Sequence, residues 1–168
     1  MMKKKSQIFL FDLILSVTIL IVSIGLIAVY YSNTIKNDDI YSSNLNFIQS
    51  FSKTKINSLN NDEIRLYFTQ SKIRNIENTL AQQVSEFHYR GFNEDSINLT
   101  RIIARDFFSS QMNVEIYLID SGGSYLLFNQ TRREKSQASI VSVFQRDVIG
   151  FFEGSPYGPY TIVSEVWI

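Results

Sequence analysis

The residues of this chain that could do chemistry are few and widely separated. Its 168 residues include one histidine, His88, and no cysteine. The nearest acidic residue, Glu86, would point to another side of a helix. Other carboxylates, such as those of Asp106, Asp120 and Asp147, cannot be paired from the sequence. A metal site or an acid–base pair needs several such groups together, so neither is predicted.

Motifs for phosphate binding and covalent catalysis are not found either. Ser121-Gly122-Gly123-Ser124 lies between two predicted strands, so it is interpreted as a hairpin turn and not as a phosphate-binding loop. No serine has the strand–turn–helix context of a nucleophile elbow. We therefore expect no catalytic residue, no cofactor, no metal and no small-molecule substrate, and we do not expect an enzyme.

Two positions are candidates for covalent modification. Asn98-Leu99-Thr100 and Asn129-Gln130-Thr131 are acceptor sequences for N-glycosylation, which are accessible if this part of the chain is exported. Leu99 belongs to an apolar stripe that would hinder access to Asn98. Asn129 is close to a predicted strand end, so it is the better candidate.

The charges are unevenly distributed along the chain. There are 16 basic and 16 acidic residues, and three of the basic ones are Lys3, Lys4 and Lys5. From Ser32 onward, 13 basic residues face 15 acidic ones. A weakly acidic domain offers no basic surface for nucleic acid. The hydrophobic content of 45% is enough for a modest core.

An apolar segment, residues 8–31, follows the lysines, and Asp12 is the one charged residue in it. As a helix, its 24 residues would span about 36 Å, against roughly 30 Å for the hydrocarbon core of a bilayer. The lysines should stay in the cytoplasm, which places the rest of the chain on the other side. A buried helix of a soluble protein and a cleaved signal peptide are the alternatives. A signal peptide usually has a shorter apolar core and small residues before its cleavage point.

The string Lys3-Lys4-Lys5-Ser6-Gln7, followed at once by an apolar helix, resembles the precursors of archaeal type IV pilin-like proteins with a class III signal peptide. The resemblance implies that a prepilin-type peptidase removes the leader, residues 1–6, by cutting between Ser6 and Gln7. The apolar helix would then be retained. Residues 47–59, 79–87, 158–160 and 163–167 are also similar to segments of uncharacterised archaeal pilin-like proteins.

Asp12 has two interpretations. Because a carboxylate in a membrane helix is costly, it either reaches the cytoplasmic headgroups near Lys5 or has a function. In the pilin-like family an acidic residue a few positions into the mature helix is typical. In a filament such a carboxylate can pair with the N-terminal amine of a neighbouring subunit, which offsets its desolvation.

The remaining residues predict an α+β domain. Residues 7–31 are the transmembrane or assembly helix, 32–110 are helical, and 111–168 form an antiparallel sheet of about four strands that packs on them. A helix start is expected at Asp38 or Asp39. One amphipathic helix is predicted over 73–87, and a second begins at Asp95 or Ser96. Strands are predicted at 114–119, 125–128, 140–144 and 160–168, with a loop at 154–159.

Together these features indicate a membrane-anchored, pilin-like structural or adhesion protein of the cell surface, as a filament subunit or minor pilin. Its expected partners are membrane lipid, the prepilin-type peptidase and other pilin-like subunits. The alternative is a monomeric single-pass membrane protein whose exported domain binds a ligand or a protein. Phe151 and Phe152, beside the predicted loop, are either core residues or an exposed contact surface.

Overall fold

The computed structural model describes the backbone of residues 2–168 and the side chains of residues 14–30 and 39–168. Helix α1, Met2–Lys53, is the first element. The chain divides into two compact units, Met1–Asp39 and Ile40–Ile168, so α1 contributes to both. Among the described residues, no helix has the length and the apolarity that crossing a membrane requires.

The second unit contains an antiparallel sheet of four strands within residues 113–167, which confirms the predicted α+β class. The strands are β1 (Asn113–Asp120), β2 (Gly123–Gln130), β3 (Val141–Phe152) and β4 (Ser155–Trp167). Their order in the sheet is β2-β1-β4-β3. Two hairpins thus lie side by side, with β1 and β4 in the centre and β2 and β3 at the edges.

The alternation of side chains explains why one face of this sheet is buried. Val114, Ile116 and Leu118 of β1 have no exposed surface, and successive residues of a strand point to opposite faces. The register places Ile162 and Val166 of β4 beside Leu118 and Val114. Helices cover this apolar face.

The covering helices are the C-terminal part of α1, α3 (Leu80–Tyr89) and α4 (Asn93–Phe107), while α2 (Asp62–Thr69) packs at their side. Helix α4 contacts β2, and α3 contacts β3 and β4. Short 3-10 turns occur at Ile56–Ser58 and Lys135–Gln137. The core therefore lies between one layer of helices and one sheet.

Three predicted helix starts were wrong. Helix α1 passes Asp38 and Asp39 without a break. Helix α3 begins only after Thr79, because the Thr79 hydroxyl accepts from the Gln82 amide and the Gln82 side chain accepts from the Thr79 amide. Helix α4 begins at Asn93, ahead of the predicted cap, and Ser96 instead donates its buried hydroxyl to the Val84 carbonyl.

The loop predicted for residues 154–159 was also wrong, since β4 begins at Ser155. The turn consists of Glu153 and Gly154, both with positive φ (51° and 83°), as a two-residue hairpin requires. The prolines are tolerated because this part of β4 pairs with β3 alone, whereas β1 reaches no further than Thr161.

Candidate functional site

The described part of α1 in the first unit has apolar side chains on every side. Consecutive helical residues are about 100° apart, so the run 19–22 encircles the helix with isoleucine, leucine, isoleucine and valine. The large apolar side chains of residues 14–30 are between 47% and 69% exposed. They are Ile14, Leu15, Val17, Ile19, Leu20, Ile21, Val22, Ile24, Leu26, Ile27, Val29 and Tyr30. An exposed apolar surface of this extent marks a site of interaction.

A hydroxyl within this segment is satisfied inside the helix. The Thr18 Oγ1 atom donates to the carbonyl of Ile14 at 2.8 Å, one turn earlier. This hydroxyl therefore needs no water molecule as an acceptor, which suits an apolar environment.

Farther along, α1 becomes part of the core of the second unit. Ile40, Phe47, Ile48 and Phe51 are all at most 6% exposed, and their spacing puts them on one helical face. The Phe47 ring lies 5.1 Å from that of Phe51 and 5.0 Å from that of Phe108, measured between centroids. One helix thus carries an exposed apolar segment and a core face.

A buried amide joins this part of α1 to the sheet. The Asn44 Nδ2 atom donates to the carbonyl of Ser142 in β3 at 2.9 Å and to that of Ser164 in β4 at 3.1 Å. Asn44 has no exposed surface, so its loss would leave buried polar groups unpaired. The contact fixes the helix across two neighbouring strands.

Three residues of the predicted processing and assembly site, Ser6, Gln7 and Asp12, lie outside the residues whose side chains are described. The predicted cleavage and the predicted role of the carboxylate therefore stay predictions.

The histidine has a partner that the sequence did not indicate. The His88 Nε2 atom lies 3.1 Å from Asp120 Oδ2, across 32 residues of sequence, and its Nδ1 atom lies 3.0 Å from Asn93 Oδ1. The imidazole is 4.4 Å from the Tyr125 ring and 5.6 Å from the Tyr160 ring. Glu86 points elsewhere, as predicted.

The chemistry of this group follows from its hydrogen bonds. The hydrogen bond from His88 lowers the pKa of the Asp120 carboxyl, and the amides of Gly122 and Gly123 lower it further. A carboxylate only accepts, so Nε2 of His88 carries a hydrogen. With Asn93 beside the other nitrogen, both ring nitrogens have a partner among the described side chains. The arrangement ties α3 and the start of α4 to the β1–β2 turn.

A second buried ionic group lies on α3. Glu86 has no exposed surface, and it accepts from Asn78 Nδ2 at 2.7 Å and from Arg90 at 2.9 Å. The guanidinium of Arg90 also donates to the Lys72 carbonyl at 2.7 Å and lies 4.9 Å from the centre of the Phe152 ring. This network holds residues 72–78 against α3, which is a structural role.

Phe151 and Phe152, at the tip of the β3–β4 hairpin, differ in exposure, so the two interpretations, core residue and exposed contact surface, each apply to one of them. Phe151 is 63% exposed, whereas Phe152 is half-buried and packs on Tyr89 and between two guanidinium groups. Ile149, two residues before Phe151 in β3, is 56% exposed. An apolar contact surface is therefore present, although its extent is small.

A cleft of about 320 Å³ lies between α2 and α4. Its lining includes an ion pair between Lys72 and Asp95, at 2.8 Å. Arg101 and Arg105, one turn apart on α4, line it together with Glu63. Its polar walls could bind a small charged group.

Among the described side chains, no three histidine or carboxylate groups come together as metal ligands would. Comparison of the chain with protein families, curated proteins and solved structures gives no match.

Proposed function

We propose that this protein is a membrane-anchored, pilin-like subunit of the cell surface, with the second unit as an exported head. The observation that carries the proposal is the apolar surface of residues 14–30, which is exposed on all sides of α1. Burial of apolar surface is worth about 25 cal/mol per Å². A helix that is apolar all round is stable when lipid or other apolar helices surround it.

The remainder of α1 supports a role for the segment as an anchor. Phe47 and Phe51 belong to the core of the head, and Asn44 bonds to two strands of its sheet. The same helix, α1, thus carries the apolar segment and residues that pack in the core of the head.

In the proposed assembly, the apolar segments of neighbouring subunits pack together. Cleavage between Ser6 and Gln7 would create an amine on Gln7, and Asp12 would pair with the amine of a neighbour. Removing one partner of such a desolvated pair costs about 3–5 kcal/mol. Loss of the Asp12 carboxylate would therefore weaken assembly strongly, because the amine of the neighbour would stay buried without a partner.

A second candidate is a monomeric single-pass membrane protein whose head binds a ligand. The cleft between α2 and α4, with Arg101 and Arg105 on its wall, favours it. In this case Asp12 would have no partner in another copy of the chain.

Two variants separate these candidates. Asp12→Ala is compared with Asp62→Ala, in which the replaced acidic side chain of the head is 94% exposed and contributes little through its pair with Arg65. Each is expressed as the full chain, and its retention in alkali-washed membranes and the cross-linking between copies are measured.

We expect wild type and both variants to stay in the membrane, and only Asp12→Ala to lose the cross-links. Cross-linking of Asp12→Ala at the wild-type level would exclude the assembly role of Asp12, and a wild-type chain without cross-links would favour the monomeric protein. Recovery of the wild-type chain in the soluble fraction would contradict both candidates.

A further inference from the structure

The two glycosylation sequences of the chain lie in different kinds of secondary structure, one in a helix and one at the end of a strand. Asn98 and Thr100 belong to α4, whereas Asn129 is in β2 and Thr131 follows directly after this strand. Both sequences require an asparagine and a hydroxyl residue two positions later. Whether these two side chains can be reached together depends on the element that carries them.

In α4 the two side chains point in different directions. Two helical residues represent about 200° of rotation, so Asn98 and Thr100 lie on opposite faces. Asn98 is exposed, but Thr100 has no exposed surface and donates its hydroxyl to the Ser96 carbonyl at 2.8 Å. An enzyme that must bind both side chains has no access to this hydroxyl in the folded protein.

At the end of β2 the two side chains lie together. Thr131 follows the strand directly and its hydroxyl donates to Asn129 Oδ1, so the two side chains lie on the same side. Both are exposed. Gln130 points inward instead, and its side chain donates to the carbonyls of Ser109 and Met112 at 2.9 and 3.0 Å.

The surroundings leave space for a bulky group. Asn129 pairs with Glu115 on the face of the sheet opposite to the helices, and β2 is an edge strand. Asn113 holds the loop that follows β2, because its Oδ1 atom accepts a hydrogen bond from the Arg132 amide at 2.7 Å. The acceptor sequence is thus presented at a fixed position on an open surface.

We propose that Asn129 is the N-glycosylation site of this protein and that Asn98 is not modified in the folded chain. The donor is an oligosaccharide on a lipid phosphate. The Asn129 Nδ2 atom bonds to the anomeric carbon of the sugar, the bond from that carbon to the phosphate oxygen breaks, and the lipid phosphate leaves with the electron pair. The amide nitrogen loses one proton.

A test in vitro separates this inference from the proposed export of the head, on which glycosylation in the cell rests. Folded full-length chain in detergent is incubated with an oligosaccharyltransferase and a lipid-linked oligosaccharide, beside two short peptides that contain the sequences around Asn98 and Asn129. Modified positions are read by mass spectrometry of proteolytic fragments. Thr131→Ala, Thr131→Ser and Asn98→Gln are treated in the same way.

We expect both peptides to be modified, but only Asn129 in the folded chain. Thr131→Ala should abolish the modification, Thr131→Ser should keep it, and Asn98→Gln should change nothing. Modification of Asn98 in the folded chain, or of neither residue while the Asn129 peptide reacts, would overturn the inference. A chain that is modified in vitro but carries no sugar in a glycosylating host would instead speak against export.

Discussion

Replacing Phe47 by alanine is expected to destabilise the second unit strongly, although this residue belongs to the same helix as the exposed apolar segment. Phe47 has no exposed surface, and its ring contacts those of Phe51, Phe107 and Phe108. Phe→Ala changes in cores cost about 3–5 kcal/mol, and aromatic pairs add about 0.5–1.5 kcal/mol each. We expect a loss of about 4 kcal/mol.

The corresponding change in Tm follows from the size of the unit. Unfolding entropy is about 2.1 cal/mol/K per residue, which for residues 40–168 gives about 0.27 kcal/mol/K. A loss of about 4 kcal/mol therefore lowers Tm by about 15 °C. The milder Phe47→Leu should lie between wild type and Phe47→Ala, and it provides the measurement if the alanine variant does not fold.

The assay is urea unfolding of the full chain in detergent, followed by tryptophan fluorescence. Trp167 is the one tryptophan of the sequence, and it is 1% exposed in β4, so its emission reports on the second unit. Leu20→Ala is the matched control, because Leu20 lies on α1 but is 60% exposed. It should change the free energy of unfolding by at most about 0.5 kcal/mol. A loss below about 1 kcal/mol for Phe47→Ala, or an equal loss for Leu20→Ala, would refute the division of α1 into two roles.

Three other variants test the head. The lowered pKa of the Asp120 carboxyl stabilises the folded state, and Asp120→Asn removes this stabilisation. The stabilisation is present above the usual pKa of 3.8 and disappears as the pH falls through the lower pKa of the folded protein. The Tm difference from wild type should therefore be clear near neutrality and shrink below pH 3.8. A difference that grows in acid would contradict the contact with His88. Gly150→Ala would put a Cβ atom 2.1 Å from the buried Tyr157 ring and should cost about 1–3 kcal/mol, whereas an unchanged melting curve would show that this packing is wrong. Asn44→Ala should cost about 1–3 kcal/mol, measured by urea unfolding, since two strand carbonyls lose their donor; a neutral result would exclude that link between α1 and the sheet.

The β1–β2 hairpin could be predicted because its signals are local. Residues 114–119 alternate between buried and less buried positions, and Asp120 closes the turn by accepting from the amides of Gly122 and Gly123. Alternation and turn chemistry are properties of neighbouring residues, so the sequence displays them directly.

The second hairpin was underestimated because local signals there conflict with the tertiary environment. Glycine and proline usually interrupt a strand, yet Pro156 pairs with Phe151 in a part of β4 that has a neighbour on one side only. The helix predicted from Ile73 was too long for a related reason. Ile73 is buried, so it continues the apolar pattern of α3 in the sequence. It nevertheless lies in the connection before this helix.

The contact between His88 and Asp120 had no signal in the sequence. These residues come together because α3 packs on the sheet beside the β1–β2 turn, and a pairing across 32 residues depends on the complete fold. The difference between the two glycosylation sequences could have been anticipated in part. Thr100 lies next to the apolar stripe that contains Leu99, and a helix would turn it away from Asn98.

The mass of the mature protein, extracted from membranes and measured intact, tests the proposal of a processed pilin-like anchor most directly. We predict a chain that lacks residues 1–6, begins at Gln7 and retains the whole apolar segment. A chain that still begins at Met1 or Met2 would contradict processing between Ser6 and Gln7. A chain that has lost the segment up to residue 31 would identify a cleaved signal peptide and contradict the membrane anchor itself.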